Sequence, residues 1–562
     1  TATDTGAKLA IQRITTSANT CYVDDVGVID LTSTFGAGNE PTLQWCLDNL
    51  TYSTNMFTIT DTTVDLWSKK SLGALDTSGH VGMFGFSDKL YIQDGLAYRY
   101  WDGTTYGTVT GYRPLVSIAV PPAGGGTTLE QINALNGLRR VWFSPNGATG
   151  TFQLPETSLS SIDYVKIVAT GAYYDIVETA DEADECTVST ANGTVTFHTA
   201  PSAGTNTIEI GYTAATDNSE TVTAMRYSET FSGATDAYVF LYGDGTNTAI
   251  YSGIDYDGLP NAEYFPVLHT MAIGDENTPI TSLLRHYNML MAYKEDSAYG
   301  IRYDYITLTD GVMTPAFAIQ PVNRGIGNKA MGQAVLAENF PRTLDGNSIY
   351  EWRTVAGGTI TNDQRNAQRV SQRVERTLAL MDLENAVAYF DKINHEYYVT
   401  DGDNCVVHNT ENDTWYVYSD FAATCIVVYQ DEVYYGTADG YLRHFSHDYL
   451  FDNGAAINAY WHSGSMDFGS PTKRKASARM WVALKPETGS SLTVEVDTDN
   501  STTIATKTAT AATTGDLPDI NRLKLKAKKF VYYKLKLSSN SATTTATVDS
   551  VSIRVNYTAD AK

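Results

Sequence analysis

The chain has 562 residues, 42% apolar and 18% charged, and a formal net charge of −25. That length exceeds one ordinary core and implies three or four modules, while no stretch approaches the roughly 18 consecutive apolar residues of a membrane helix, so a soluble protein without membrane insertion is expected. The acidity argues against a tightly held nucleic acid, which needs clustered Lys and Arg; an acidic wall suits a conduit past which DNA slides, and plain solubility explains the charge equally well.

The segment from Thr1 to Arg13 lacks a basic stretch followed by an apolar run, so nothing there reads as a secretion signal. The five cysteines, Cys21, Cys46, Cys186, Cys405 and Cys425, are widely spaced without a Cys-x-x-Cys pair. They read as reduced core residues.

Short runs rich in Tyr, Val and Thr, broken by turn residues, predict an all-β chain. Asp-Gly begins at Asp94, Asp102, Asp244, Asp257, Asp310, Asp345, Asp401 and Asp439, and Asn-Gly at Asn136, Asn146, Asn192 and Asn453. Such dipeptides signal hairpins with type I′ turns. Residues 1–111 hold the first example of a recurring frame, an apolar strand, a turn and an aromatic strand, from Ser87 to Tyr100. Related frames cover His286 to Tyr303, Glu338 to Trp352, Lys392 to Tyr418 and Tyr429 to Leu442. They resemble propeller blades, which assigns residues 1–111 and 226–454 to one β-propeller of six or seven blades. Between them, residues 112–225 open with Pro121-Pro122-Ala123-Gly124-Gly125-Gly126 and continue as short strands. They predict an inserted β-sandwich. Residues 455–562 carry 15 Lys+Arg against 9 Asp+Glu, a net of +6, which leaves −31 for the rest. Their alternating runs predict a separate C-terminal β-sandwich.

One helix is predicted. From Thr361 to Met381 the residues Ala367, Val370, Val374, Leu378 and Met381 recur at helical spacing. On that helix Arg365, Arg369, Arg373 and Arg376 lie about 145° from the apolar stripe and face away from the core. They form either a solvated or ion-paired surface or a contact with another subunit.

Candidate chemistry is sparse. His444 and His447 with Asp448 form a close histidine pair without a third well-placed ligand. The run from Asp255 to Glu263 faintly resembles a calcium loop, but Pro260 and the missing helical flanks favour a turn. Asn412-Asp413-Thr414-Trp415 lacks the glycine of a sialidase Asp-box, and no nucleophile elbow, zinc-protease or phosphate-loop motif occurs. No catalytic residue, cofactor or metal is assigned, and a non-enzymatic protein is expected.

Further residues carry a family resemblance. Leu90 to Gly95, Tyr100 to Thr105 and Gly111 to Pro114, then Ile250 to Gly253, Glu263 to Pro266, Leu290 to Ser297 and Asp345 to Trp352 are similar to bacteriophage tail nozzle proteins of the packaged-DNA stabilisation family. The resemblance covers about residues 20 to 450. It implies a structural virion protein of a short-tailed phage, assembled in the host cytoplasm: a homo-oligomeric ring, commonly a hexamer, below the portal and adaptor and beside fibres or spikes. Such a ring retains packaged DNA and passes it, without tight binding, at genome ejection. The alternatives are a tail-tip or fibre-associated module that binds host glycans, and a polysaccharide depolymerase.

Overall fold

Antiparallel hairpins are the repeating unit of the computed structural model, which describes residues 50–53, 56–59, 74–75, 78–232, 235–307, 313–353, 366–429, 431–447, 449–452, 454–487, 489–499, 501–510 and 517–560. Five four-stranded meanders follow one another along the chain. Sheet I comprises Gly82–Phe86, Lys89–Gln93, Tyr98–Trp101 and Tyr106–Thr108; sheet II comprises Tyr227–Ser232, Thr235–Tyr242, Thr248–Tyr251 and Thr270–Ala272. Sheet III comprises Ser282–His286, Met289–Tyr293, Ala298–Thr307 and Met313–Asn323; sheet IV comprises Val335–Ala337, Phe340–Asp345, Ser348–Trp352 and Ala367–Arg369. Sheet V comprises Val387–Asp391, Glu396–Thr400, Asn404–Asn409 and Thr414–Ser419, and a three-stranded sheet VI comprises Ala423–Tyr429, Glu432–Thr437 and Leu442–Phe445.

The turn chemistry differs from the type I′ expectation. In Asp94-Gly95, Asp345-Gly346 and Asp401-Gly402 the glycine alone is left-handed, while Asp94 and Asp401 accept bonds from backbone amides two and three residues on. The aspartate acts as an acceptor and the glycine supplies the positive φ. Two-residue turns with both φ positive occur instead at Ser87-Asp88 and Glu338-Asn339, which carry no glycine.

The meanders pack in chain order. The first strand of sheet II abuts the first strands of sheets I and III, that of sheet III abuts sheet IV, and that of sheet IV abuts the first strand of sheet V. Apolar clusters fill the seams: Tyr91 and Tyr98 with Val239 and Leu241 between I and II, Phe240 and Met271 with Leu290 and Ile301 between II and III, Tyr293 with Trp352 between III and IV, and Leu344 and Ile349 with Tyr397 and Val406 between IV and V. Each fully buried aliphatic side chain there contributes about 1.5–3 kcal/mol. Consecutive sheets face to face, with first strands adjoining, make a β-propeller-like all-β fold.

Between sheets I and II the chain builds a nine-stranded system from Leu115–Val120 to Ile208–Thr213. Its strand Tyr173–Ile176 is shared: Tyr173 and Tyr174 pair with Ser161–Ile167, and Asp175 and Ile176 pair in parallel with Glu185–Ser189. The two halves joined by this strand enclose one core that includes Val141, Phe143, Phe152, Val165, Val195 and Ile210.

Over its described part, residues 366–381, the predicted helix is not what forms. Ala367–Arg369 is the fourth strand of sheet IV, paired with Tyr350–Trp352; a 3-10 turn, Gln372–Val374, and one α-turn, Glu375–Leu378, follow. Ser371 stops the strand, because its hydroxyl accepts the Ile349 amide. Val370 packs partly, and Val374, Leu378 and Met381 fully, into the seam between sheets IV and V. A strand followed by two short turns buries these side chains and also satisfies the free edge of Ser348–Trp352.

The structure divides into two compact units, one holding residues up to Ile426 with Gly436–Leu442, the other holding Val427–Tyr435 and Arg443–Lys562. In the second unit a five-stranded sheet, including Ala455–His462, Ser491–Thr498 and Tyr533–Ser541, and a three-stranded sheet of Asp519–Phe530, Lys473–Leu484 and Val548–Asp560 share a core of Met480, Val482, Val494, Leu523, Phe530 and Leu535. Among the described residues no helix is long and apolar enough to cross a membrane.

Candidate functional site

Polar residues concentrate at the seam between sheets IV and V. Arg342 and Glu351 are cross-strand partners in sheet IV, only 3% and 6% exposed, and Arg342 Nη2 donates to Glu351 Oε2 at 2.9 Å. The guanidinium lies over the Tyr397 ring of sheet V, 5.0 Å from its centroid, and its Nη1 donates to His408 Nδ1 at 3.0 Å. Arginine only donates, so His408 Nδ1 is the acceptor and Nε2–H donates to Asp413 Oδ1 at 3.1 Å. Burial, then the adjacent Arg342 charge, holds the His408 pKa below the usual value. The ring stacks on Trp415 at 4.2 Å. At the rim Arg353 Nε reaches Glu351 Oε1 at 3.1 Å.

Of the predicted arginines, Arg369, Arg373 and Arg376 lie on a strand end and two successive short turns rather than on one helix face. Arg365 lies outside the described residues. Arg369 pairs with Glu375 at 3.0 Å; Arg373 donates to the Asp413 carbonyl at 2.6 Å and reaches its Oδ2 at 3.3 Å. Arg376 is exposed on the single α-turn. Two of the four are thus tied to carboxylates of their own chain.

The chain Arg353–Glu351–Arg342–His408–Asp413–Arg373 can hold two sheets in one register. Both ring nitrogens of His408 are engaged, so it cannot take a proton from a bound molecule without breaking the link to Arg342 or Asp413. The other candidate segments are also internally committed. Asp255 accepts the amides of Asp257 and Leu259, and Glu263 pairs with Lys89 of sheet I at 2.6 Å, so the 255–263 run is a turn stapled to a neighbouring sheet. His444 contacts Tyr449 Oη at 2.7 Å and Glu432 at 3.1 Å, and His447 packs on Phe445; Asp448 lies outside the described residues. Among the described residues no group of three or more His, Cys, Asp or Glu is arranged to hold a metal ion. Cys186 and Cys405 are buried free thiols, whereas Cys425 is exposed, contrary to its expected core position; Cys21 and Cys46 lie outside the described residues.

A second polar surface lies on the outer face of the inserted system. Glu209 accepts from Trp142 Nε1 at 2.6 Å and Tyr164 Oη at 2.8 Å, and pairs with Lys166 at 3.0 Å. The Tyr164 ring covers Gly211, where a Cβ would stand 2.2 Å from the ring. Tyr173 packs edge-on against Tyr164, and Tyr256 against Trp142. Neither cluster has a local sign in the sequence, because its members are brought together by strand register.

No known family model matches the chain, and no curated protein matches it in sequence. Among solved structures it is similar to an exo-β-1,3-galactanase from Phanerochaete chrysosporium, with 10% identity over 85% of this chain and 98% of that one and a TM-score of 0.17. A protein from Lactobacillus plantarum shows 10% identity over 67% and 99%, with a TM-score of 0.24. An arabinoxylan arabinofuranohydrolase from Bacillus subtilis shows 8% identity over 57% and 76%, with a TM-score of 0.16.

Proposed function

We propose that this chain is a structural protein of a bacteriophage tail, in which the meanders close as a β-propeller and several copies form a nozzle ring below the portal and adaptor. The observation that carries the reading is where the resembling residues fall. Leu90 to Gly95 and Leu290 to Ser297 cover the second strand and the turn after it in sheets I and III, and Asp345 to Trp352 covers the end of the second strand, the turn and the third strand of sheet IV. They form scaffold rather than a substrate cleft. The acidic body supports the conduit role, since a wall of like charge lets DNA slide without adhering. The buried network supports it as well, because a ring under internal DNA pressure benefits from sheets locked in register.

Host-glycan binding is the second reading, favoured by the exposed rings of Tyr173 and Tyr256 beside Trp142 and Tyr164, which offer flat apolar faces to sugar rings. Projection images of particles carrying this protein with a label separate the two. A nozzle places the label on the tail axis; a label at the periphery overturns the nozzle reading and favours the glycan-binding one.

A further inference from the structure

In the second unit the three-stranded sheet of Asp519–Phe530, Lys473–Leu484 and Val548–Asp560 has one face committed to the core, through Met480, Val482 and Leu523. Its other face is basic. The register sets Lys524 opposite Arg479 and Arg479 opposite Arg554, so three cations form a row across all three strands. One rung along, Arg522 stands opposite Trp481. The four cations are exposed, and among the described residues none of them is paired with a carboxylate. Like charges directly opposite one another destabilise a sheet. A row of three, without counter-charge among the described residues of a chain that carries 64 Asp+Glu, is suited to an anionic partner.

The same chain holds a complement. From Ile167 to Met225 there is no Lys or Arg. Within that stretch Asp175, Glu178, Asp181, Glu182 and Asp184 are exposed around one connection of the inserted system. Glu185 orders this connection by accepting the amides of Asp181 and Glu182 at 2.7 and 3.0 Å, and a contact between His198 Nδ1 and the Ala180 carbonyl at 3.0 Å adds to it. Five carboxylates on a pre-shaped loop facing four cations on a flat sheet make a charge-complementary pair, and pre-ordering lowers the entropic cost of docking.

We propose that the basic outer face around Arg479, Lys524 and Arg554 docks the acidic connection 175–185 of a second copy of this chain. A head-to-tail contact of this kind leaves each copy with one free basic face and one free acidic loop, so it propagates from copy to copy and makes a ring where its rotation closes. The inference rests on the ring reading and names the surfaces that would join its copies.

The test uses the full chain in sedimentation velocity across a concentration series at about 0.1 M and 1 M salt, between which the screening length falls from about 10 Å to about 3 Å. Wild type is expected to self-associate at low salt and dissociate at high salt. Arg479→Glu places a carboxylate between Lys524 and Arg554, which relieves the like-charge row. It should fold with an equal or higher Tm and associate at least about tenfold more weakly. Asp181→Lys with Asp184→Lys should weaken association similarly. Self-association that is absent in wild type, or unchanged in Arg479→Glu or in the Asp181→Lys, Asp184→Lys variant, overturns the proposal. So does a shift of duplex DNA by wild type that Arg479→Glu abolishes while association persists, since the face would then belong to nucleic acid. The particle image reports on the nozzle reading separately: an axial label with salt-independent association would sink this interface and leave the nozzle standing.

Discussion

The seam between sheets II and III and the seam between sheets IV and V do the same work by different means. In the first, Phe231, Phe240, Leu290, Ala292 and Ile301 are buried among aromatic rings, with Phe317 packed edge-on to Phe240 and Tyr251. In the second, aliphatic residues surround a buried ion pair and a neutral histidine. A mainly apolar seam, crossed here by the buried Lys294 Nζ bonded to the Ile273 carbonyl at 2.8 Å, tolerates small slips better, because dispersion and burial are non-directional. A buried charge network does not, since each group must meet its partner or lose its desolvation energy. The difference teaches that sheets IV and V are held in a specified register rather than merely together.

The sharpest way to break that contrast is to remove one partner of the buried pair. Glu351→Gln leaves the Arg342 guanidinium buried without its counter-charge, and is expected to cost the first unit about 3–5 kcal/mol. Replacing both, Arg342→Met with Glu351→Leu, should cost far less, because two apolar side chains leave no unpaired charge. Urea unfolding followed by tryptophan fluorescence, with Trp352 and Trp415 beside the network, measures both. A double variant as unstable as the single would show that the network supplies net stability rather than register.

The apolar seam provides the control. Leu290→Ala, at a fully buried position, is expected to cost about 3 kcal/mol by transfer and cavity terms. Because no charge is exposed, a second apolar truncation in the same cluster should add or partly overlap, never rescue. Rescue there would erase the distinction between the seams.

How far the sequence reached follows the same division between local and distant determinants. Strands, turns and the basic shift of the C-terminal region were legible, because alternation and the Asp-Gly pairs act within a few residues. The 361–381 helix was misread for a physical reason. The 3–4 spacing of Val370, Val374, Leu378 and Met381 also arises when a strand ends at Ser371 and two short turns follow, and what decides between them is the open edge of Ser348–Trp352. Arg342 and His408 stand 66 residues apart. Nothing near either residue marks it as half of a buried link. The Lys524–Arg479–Arg554 row is likewise a product of register; its members look like ordinary alternating surface residues until the strands are paired.

Acid sharpens the comparison further. His408 has a lowered pKa in the folded chain, so between that value and about 6.5 the unfolded state binds the extra proton. Stability therefore falls as pH drops through this window, with a limiting slope of about 1.4 kcal/mol per pH unit for one proton. Burial lowers His269, stacked on Tyr251 at the II–III seam, in the same direction. Protonating His408 also places a second cation against Arg342, while the Asp413 and Glu351 carboxylates act in the other direction. His408→Asn and His269→Asn are thus each expected to flatten the acid limb below about pH 6.5. Stability curves measured at several pH values would contradict this if either variant left the limb unchanged.

The smallest effect is expected where the network reaches water. Arg373 and Asp413 form an ion pair whose side chains are 66% and 69% exposed. Exposed pairs of this kind contribute about 0.2–1 kcal/mol, because water screens the charges and two long side chains lose freedom when held together. Arg373→Gln keeps most of the side-chain length, so it isolates the charge and the bond to the Asp413 carbonyl. Its cost should stay below about 1 kcal/mol and shrink in high salt, whereas the cost of Glu351→Gln, read at the dry end of the same network, should barely depend on salt. The two variants together form a cycle along one chain of partners, from Glu351 through Arg342 and His408 to Asp413 and Arg373. If the links polarise one another, the double variant will depart from the sum of the singles by more than about 0.5 kcal/mol. Additive costs would show that the buried pair and the surface pair act independently, and that the register of sheets IV and V is set at Arg342 alone.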